Sequence, residues 1–399
     1  MSTIINADTS NGLKLTSDTS GEIELQANGV TKAKITANGL QDNNGNSLRG
    51  GSYRNLIING DMRIAQRGTS FTGLSNEYGL DRWKANLDLT GAATASQDTD
   101  VPSGQGFSYS QKVQVTTAVT YATTQQAFIE HLIEAQNISH LSYGSASAKS
   151  LTASFWVKSN VTGTFIVWFY RPDDGRSISK SYTINTANTW EKKSITVEGD
   201  ISGSDIPSDN GDGFHLRFVL DAGPSFDGTL TDTWQSVPTT GRYAGQSNLY
   251  ASTSNYINIT GVQLEVGEGA SDFEHLPYDV QLQRCQRYFQ TSYVYGSTIG
   301  SSFSNGSANA LQQSWASSNA SSIAGGTWKL PVTMRTSGTL TVYDQAGASG
   351  KYTKLGAGGL PTNGATPNQT LNGPNQLQLR TYNNAAYGLE FAYKLDAEL

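Results

Sequence analysis

Charge is scarce in this chain of 399 residues: Asp, Glu, Lys and Arg together make up 15% of it and leave a net charge of −6. No block of Lys or Arg stands anywhere, so the electrostatic footprint that draws a protein to phosphate backbones is missing and nucleic acid is not an expected partner. Cys285 is the single cysteine, which rules out an intrachain disulfide and permits assembly in a reducing cytosol. The thiol itself is expected to be a small buried hydrophobe. Long apolar runs are absent as well. Nowhere do about 18 apolar residues follow one another, and Met1 to Asp8 holds no basic region ahead of an apolar one, so neither membrane insertion nor a standard secretion signal is expected.

Catalytic signatures are also lacking. His131, His140, His215 and His275 are all the histidines, and none stands at a metal-ligand spacing from another. There is no Gly-X-Ser-X-Gly elbow and no phosphate loop, so triad hydrolysis and nucleotide chemistry have no foothold. Carboxylate pairs for glycoside hydrolysis are recognised by separation in space, and Asp173/Asp174, Asp221/Asp227 and Glu265/Glu268 are nominal candidates of a kind that arises freely and that surface solvation explains. The expectation is a protein that is not an enzyme and needs no cofactor.

What the chain does have is glycine, 42 residues of it, and aromatic side chains: 19 Tyr, 13 Phe and 7 Trp. That many aromatics argue against disorder, and the composition suits strands and their turns. Three strand-like phrases open the sequence, Gly12 to Thr16, Gly21 to Leu25 and Val30 to Ile35, recurring at about nine residues with apolar and charged side chains alternating. A strand in each would bury Leu13/Leu15, Ile23/Leu25 and Ala33/Ile35 on one face. At roughly 25 cal/mol per Å² buried, against roughly 1–2 kcal/mol of backbone entropy per ordered residue, so little apolar area orders only against copies of itself or a larger body. Residues 1–50 therefore read as an intertwined β stem for attachment and trimerisation, whose repeat runs out into the polar Gly-rich connector Gln41 to Ser52.

From Tyr53 the sequence becomes a series of separated strand phrases: Asn55 to Asn59, Leu151 to Lys158, Gly163 to Tyr170, Lys192 to Val197, Gly213 to Leu220 and Tyr256 to Glu265. No recurrent helical pattern separates them, which favours an all-β fold with an antiparallel sandwich over 53–290. Gln125 to Asn137 is ambiguous between helix and strand. Asp279 to Phe289 reads as a short helix with Leu282, Cys285 and Phe289 on one face. Residues 291–399 return to short strands, clearest at Gly338 to Tyr343, Leu377 to Tyr382 and Gly388 to Leu395, and predict a second, smaller β-sandwich domain.

The phrase Arg54 to Arg67, with Asp81-Arg82-Trp83, Leu151 to Lys158, Trp190-Glu-Lys192, Thr260 to Gly267, Phe273 to Tyr278 and Cys285 to Phe289, resembles a jelly-roll domain of bacteriophage tail fibres and related tail proteins. Asp396 to Leu399 is a similar ending. This domain is similar to carbohydrate-binding modules, whose opening also reads Asn-Leu-Ile-X-Asn-Gly. The resemblance implies a homotrimeric virion component of the tail, assembled in the host cytoplasm, held to other tail or virion proteins by its N-terminus and contacting host surface glycans. It also implies that Trp83 is a core anchor. Many such modules hold a structural calcium partly through an acidic residue after Asn-Gly. Asp61 takes that neighbourhood here, but Met62-Arg63 replaces the usual aromatic–acid pair, and no metal is assigned.

Two-residue periodicity sorts the long strands into faces. Leu151, Ala153, Phe155 and Val157, with Phe165, Val167 and Phe169 and with Phe214, Leu216, Phe218 and Leu220, form the predicted core. The opposite face carries Trp156, Trp168, Tyr170, His215 and Arg217, the candidate ligand-binding residues. Aromatic planes stack on the apolar faces of sugar rings, while His and Arg donate to hydroxyls. Three readings of that face stand open: a glycan platform, plain solvent exposure, or burial against the second sheet's extension, a loop such as 200–210, or another subunit. Arg171 to Arg176 reads as a tight turn with solvated charges. A trimer of glycan-binding chains is the expected function, and a polysaccharide depolymerase is the alternative.

Overall fold

A computed structural model describes residues 22–27, 29–36, 39–42, 53–87, 92–304, 310–314, 324–356, 360–381 and 387–399. The first repeat phrase, Gly12 to Thr16, lies outside them. The next two form strands β1 (Ile23–Ala27) and β2 (Val30–Thr36), joined by β3 (Gly39–Asp42) in an antiparallel three-stranded sheet. Its register pairs Ile23 with Ile35, Leu25 with Ala33 and Ile35 with Leu40, so these apolar side chains share one face. That face is open: Leu25, Ile35 and Leu40 are 45%, 42% and 44% exposed.

The central unit is built from β4 (Ser70–Thr72), β5 (Ser75–Tyr78), β6 (Trp83–Asn86), β7 (Ala93–Asp98), β8 (Ser110–Val115) and β9 (Gln126–Glu134). Then come β10 (Leu151–Ser159), β11 (Gly163–Arg171), β12 (Arg176–Ile184), β13 (Glu191–Val197), β14 (Asp212–Ala222), β15 (Gln235–Ser236) and β16 (Tyr256–Val266). One sheet runs β13-β10-β16-β8-β7-β4 and the other β15-β12-β11-β14-β9-β6-β5, all pairs antiparallel. The predicted core set is buried between them without exception, because the period of two turns every second side chain of β10, β11 and β14 inward. The ambiguous segment 125–137 is strand β9 followed by a 3₁₀ turn. As a central strand buried on both faces, it shows a near-continuous apolar run rather than clean alternation.

The expected strand at Asn55 to Asn59 is instead irregular chain held by side chains. Asn55 Oδ1 accepts from the Ile57 and Leu264 amides and its Nδ2 donates to the Val262 carbonyl, so the asparagine adds to the backbone bonds that Leu56 and Gly60 make with β16. Asn59, at φ +60°, donates to the Ile64 and Asp81 carbonyls and accepts from the Ile64 amide. Trp83 is fully buried as a core anchor, its Nε1 donating to the Asn59 carbonyl. The Asn55 to Asn59 phrase is therefore a folding device.

Helix α1 (Tyr278–Gln286) closes the sandwich, with Cys285 buried beside Ile58, Ile64 and Tyr288 and with Leu282 packed against them. Phe289 is not on the helix: it begins β17 (Phe289–Thr291), which enters the C-terminal domain. There β18 (Leu311–Ser314), β19 (Ala324–Lys329), β20 (Thr339–Tyr343), β21 (Tyr352–Leu355), β22 (Pro361–Ala365), β23 (Gln369–Gly373), β24 (Gln376–Thr381) and β25 (Gly388–Asp396) enclose a second core around Leu377, Leu389, Phe391 and Leu395. Strand β25 pairs with β17, β18, β20 and β21, while β19-β24-β23 form the facing sheet.

The turn Arg171 to Arg176 departs from its expected solvation. Asp200 accepts from Arg171 Nη1 at 2.5 Å and from Arg176 Nε at 2.7 Å, and Arg171 Nη2 meets Asp174 at 2.6 Å. Arg171 and Asp200 are buried, because the 200–204 loop folds over the turn and its carbonyls complete the guanidinium's shell. A sequence pattern marks a turn but does not reveal a loop thirty residues later that lies across it.

Candidate functional site

The five candidate binding residues do not form one surface. Trp156 lies on β10, in the six-stranded sheet, whereas Trp168, Tyr170, His215 and Arg217 lie on β11 and β14 in the other sheet. Every one points away from the core between the sheets, so Trp156 faces the opposite side of the sandwich from the other four.

On β11 and β14, Trp168 is the cross-strand neighbour of Arg217, and Tyr170 of His215. Trp168 and Tyr170 stack with centroids 4.6 Å apart and planes 11° apart. The Arg217 guanidinium lies 4.6 Å over Trp168 and 3.6 Å over Phe128, and Nε donates to Glu130 at 2.9 Å. The segment after β14 folds back across this face: Phe226 and Tyr243 pack on Trp168, Tyr243 Oη meets Arg217 at 3.1 Å, and Trp168 is left 3% exposed. His215 and Arg217 are buried too, and Tyr170 is half-buried. The burial reading of this face therefore holds. Its cover is the chain's own 223–248 segment rather than the 200–210 loop, and Trp168, His215 and Arg217 are withdrawn from a ligand.

This covered face is an ion network. His215 places Nε2 2.6 Å from Asp212 and Nδ1 3.2 Å from Glu130. Burial opposes the imidazolium, but the two carboxylates outweigh it and raise the His215 pKa. Burial likewise opposes the Glu130 carboxylate, while Arg217 and His215 pull its pKa down to about 2.

Trp156 sits instead in an open cleft of about 240 Å³. Its cross-strand neighbours are Lys192 on β13 and Thr260 on β16. Between Thr260 and Gln263 the register with β10 slips, and Gly261 takes φ +60°. A Cβ at Gly261 would lie 2.5 Å from the Phe107 ring, so the bulge exists where that ring comes down on the strand. Phe107, Phe273 and His275 meet ring to ring at 4.9–5.2 Å and build one wall. The 272–276 strap that carries two of them is pinned from behind. Glu274 accepts from the Tyr53 and Asn55 amides, and Gln263 accepts from the Glu274 amide at 2.9 Å. Ser154, Lys192, Gln105 and Asp272 add hydroxyl, ammonium, amide and carboxylate to the same cleft. Lys192 meets no carboxylate among the described residues, whereas Lys158 on the same face is tied to Asp100 at 2.6 Å. The cleft thus offers an aromatic floor and wall with free donors and acceptors between them.

Sequence reasoning reached Trp156 but missed Phe107, Gln105, Asp272, Phe273 and His275 as site residues. The signal available was the Gly104-Gln-Gly-Phe107 loop and a glycine in the middle of a strand phrase. One member of each nominal carboxylate pair is engaged by neighbouring groups. Glu265 is buried under the Ser271 amide and hydroxyl, Asp174 pairs with Arg171, and Asp221 accepts the Ala222 and Tyr250 amides. Burial raises the Asp221 pKa to about 6. Asp61 is buried, with Oδ2 3.0 Å from Arg63 Nε, and burial raises its pKa; among the described residues no three acidic, His or Cys side chains converge on a point.

No family model matches this chain, and no curated protein matches it. Among solved structures it is similar to the enzymatically active domain of tailspike protein 4 of bacteriophage CBA120, with 16% identity over 54% of this chain and 22% of that one and a TM-score of 0.30. It is also similar to a carbohydrate-binding module in complex with β-1,4-galactotriose, with 11% identity over 53% of this chain and 99% of that one and a TM-score of 0.27. A third is a xylan-binding domain from Paenibacillus barcinonensis, with 10% identity over 52% of this chain, all of that one, and a TM-score of 0.24. The chain spans about a fifth of the tailspike's length.

Proposed function

We propose that this chain is a homotrimeric, non-enzymatic component of a bacteriophage tail that binds host surface glycans through the Trp156 cleft. The observation that carries the binding reading is the cleft itself. An indole and the Phe107/Phe273/His275 cluster flank four uncommitted polar side chains, matching the apolar ring face and hydroxyl edge of a sugar. The trimer reading is supported by the open apolar face of β1–β3, which a single chain leaves in water. The tail reading is supported by the sequence phrases shared with tail-fibre jelly rolls. Three weak sites on one axis gain roughly 10²–10⁴ in avidity over one site, so no single strong contact is needed.

The test is binding of the purified protein to an array of bacterial surface polysaccharides, with the length of each bound polymer followed over time. Wild type retains at least one polysaccharide and leaves its length unchanged, and Trp156→Ala weakens retention by roughly thirtyfold per site, the loss of about 2 kcal/mol for a central aromatic anchor. Shortened polymer would turn the reading to a depolymerase. Retention untouched by Trp156→Ala would remove the cleft from function.

A further inference from the structure

We infer that a second ligand site, for a neutral hydroxyl-bearing saccharide, lies in the cleft between the sandwich and the C-terminal domain. This cleft, of about 500 Å³, is twice the volume of the Trp156 cleft and shares no residue with it. The sandwich lines it with Asn76, Glu77 and Tyr78, and the C-terminal domain with Tyr343, Lys394 and Asp396. Its floor is the buried Phe289 ring with the Arg67 guanidinium 3.8 Å above it.

Three observations make this a built site rather than a gap between domains. The walls are fixed to each other: Arg67 reaches from the sandwich to Asp396 at 3.3 Å and Glu398 at 3.1 Å, and Tyr78 Oη donates to the Leu399 carbonyl at 3.1 Å. The rim is shaped. Asn76 is the bulged residue between the Ser75 and Glu77 pairings of β5 with β6 and holds φ +57°, a left-handed conformation that costs a non-glycine residue energy and re-aims the side chains beside it. The polar groups are available: Glu77 is exposed, and neither it nor Lys394 has an ion-pair partner among the described residues.

Charge selects the ligand class. Arg67 and Lys394 are balanced by Glu77 and Asp396, so the lining has no net charge with which to draw an ion. It has donors and acceptors of both kinds beside tyrosine faces, which suits vicinal hydroxyls that each donate and accept, over an apolar ring face.

The experiment is isothermal titration of the full chain with cellotetraose, maltotetraose, mannotetraose and N-acetylchitotetraose, using wild type, Trp156→Ala, and Trp156→Ala with Glu77→Gln and Lys394→Met. Both added substitutions are at the cleft surface, and circular dichroism with thermal melting checks that each variant folds. Expected is binding of at least one probe by Trp156→Ala, weakened tenfold or more by the two cleft substitutions and unchanged by added salt. Absence of binding by Trp156→Ala to every probe, or binding indifferent to Glu77 and Lys394, would overturn the site. Binding abolished by salt would overturn the neutral class. If Trp156→Ala binds as tightly as wild type yet is weakened by the cleft pair, the second site stands and the Trp156 reading falls.

Discussion

Removing Glu398 is expected to be the most damaging single substitution at the domain seam. Arg82 is fully buried, its guanidinium 3.5 Å above the Tyr288 ring, and its charge is met by the Glu398 carboxylate and the Leu132 carbonyl. Burial works against that charge, and Glu398 more than offsets it, raising the Arg82 pKa above the ordinary arginine value. Glu398 also pairs with Arg67 at 3.1 Å, but Arg67 keeps Asp81 at 3.8 Å and Asp396 at 3.3 Å when Glu398 is gone. Arg82 has no second carboxylate within ion-pair distance among the described residues. Glu398→Gln therefore leaves one buried cation with a carbonyl and a ring, and the cost of breaking such a pair from one side is about 3–5 kcal/mol. The assay is urea unfolding followed by tryptophan fluorescence, with Arg82→Met/Glu398→Leu as the matched control. Removing both charges is expected to recover most of the loss, since Arg82 lies on the Tyr288 ring, which packs with Ile58 and Ile64, and Arg67 keeps its other carboxylates. A loss below about 1 kcal/mol for Glu398→Gln, or a double variant no better than the single one, would refute the reasoning.

Gly261→Ala is expected to lose glycan retention and about 1–3 kcal/mol of stability, because a Cβ at φ +60° would drive into the Phe107 ring; retention at the wild-type level would show that Phe107 does not shape the cleft. His215 has a folded-state pKa above its unfolded value, so its contribution is fully present below about pH 6.5 and is lost as pH rises through the folded pKa. Urea midpoints taken from pH 6 to pH 9, for wild type and His215→Gln, check this: the downward slope is expected to shrink in the variant, and equal slopes would place the titration elsewhere. Leu25→Ser with Ile35→Ser is expected to convert a trimer to monomers by sedimentation while leaving the far-ultraviolet spectrum of the sandwich unchanged; a wild-type protein that already sediments as one chain would dispose of the stem.

Alternation of apolar residues at period two was sufficient, in the sequence alone, to define the all-β class and the inward set Phe155, Phe165, Phe169, Phe214 and Phe218, because pleated backbone turns every second side chain to one face. Motif likeness likewise placed Trp83 in the core. Alternation also picked out the outward residues Trp156, Trp168, Tyr170, His215 and Arg217, but it says only that they leave the core, not which sheet they leave it from. Pairing order separated Trp156 from the rest, and the 223–248 segment covered Trp168 and Arg217, both through contacts between residues far apart in the chain. The Trp156 cleft draws its wall from the 104–107 loop and the 272–276 strap, and the seam draws Arg82 to Glu398 across more than three hundred residues. Local sequence fixes which way a side chain points along its own strand; what it points at is decided when distant segments pack.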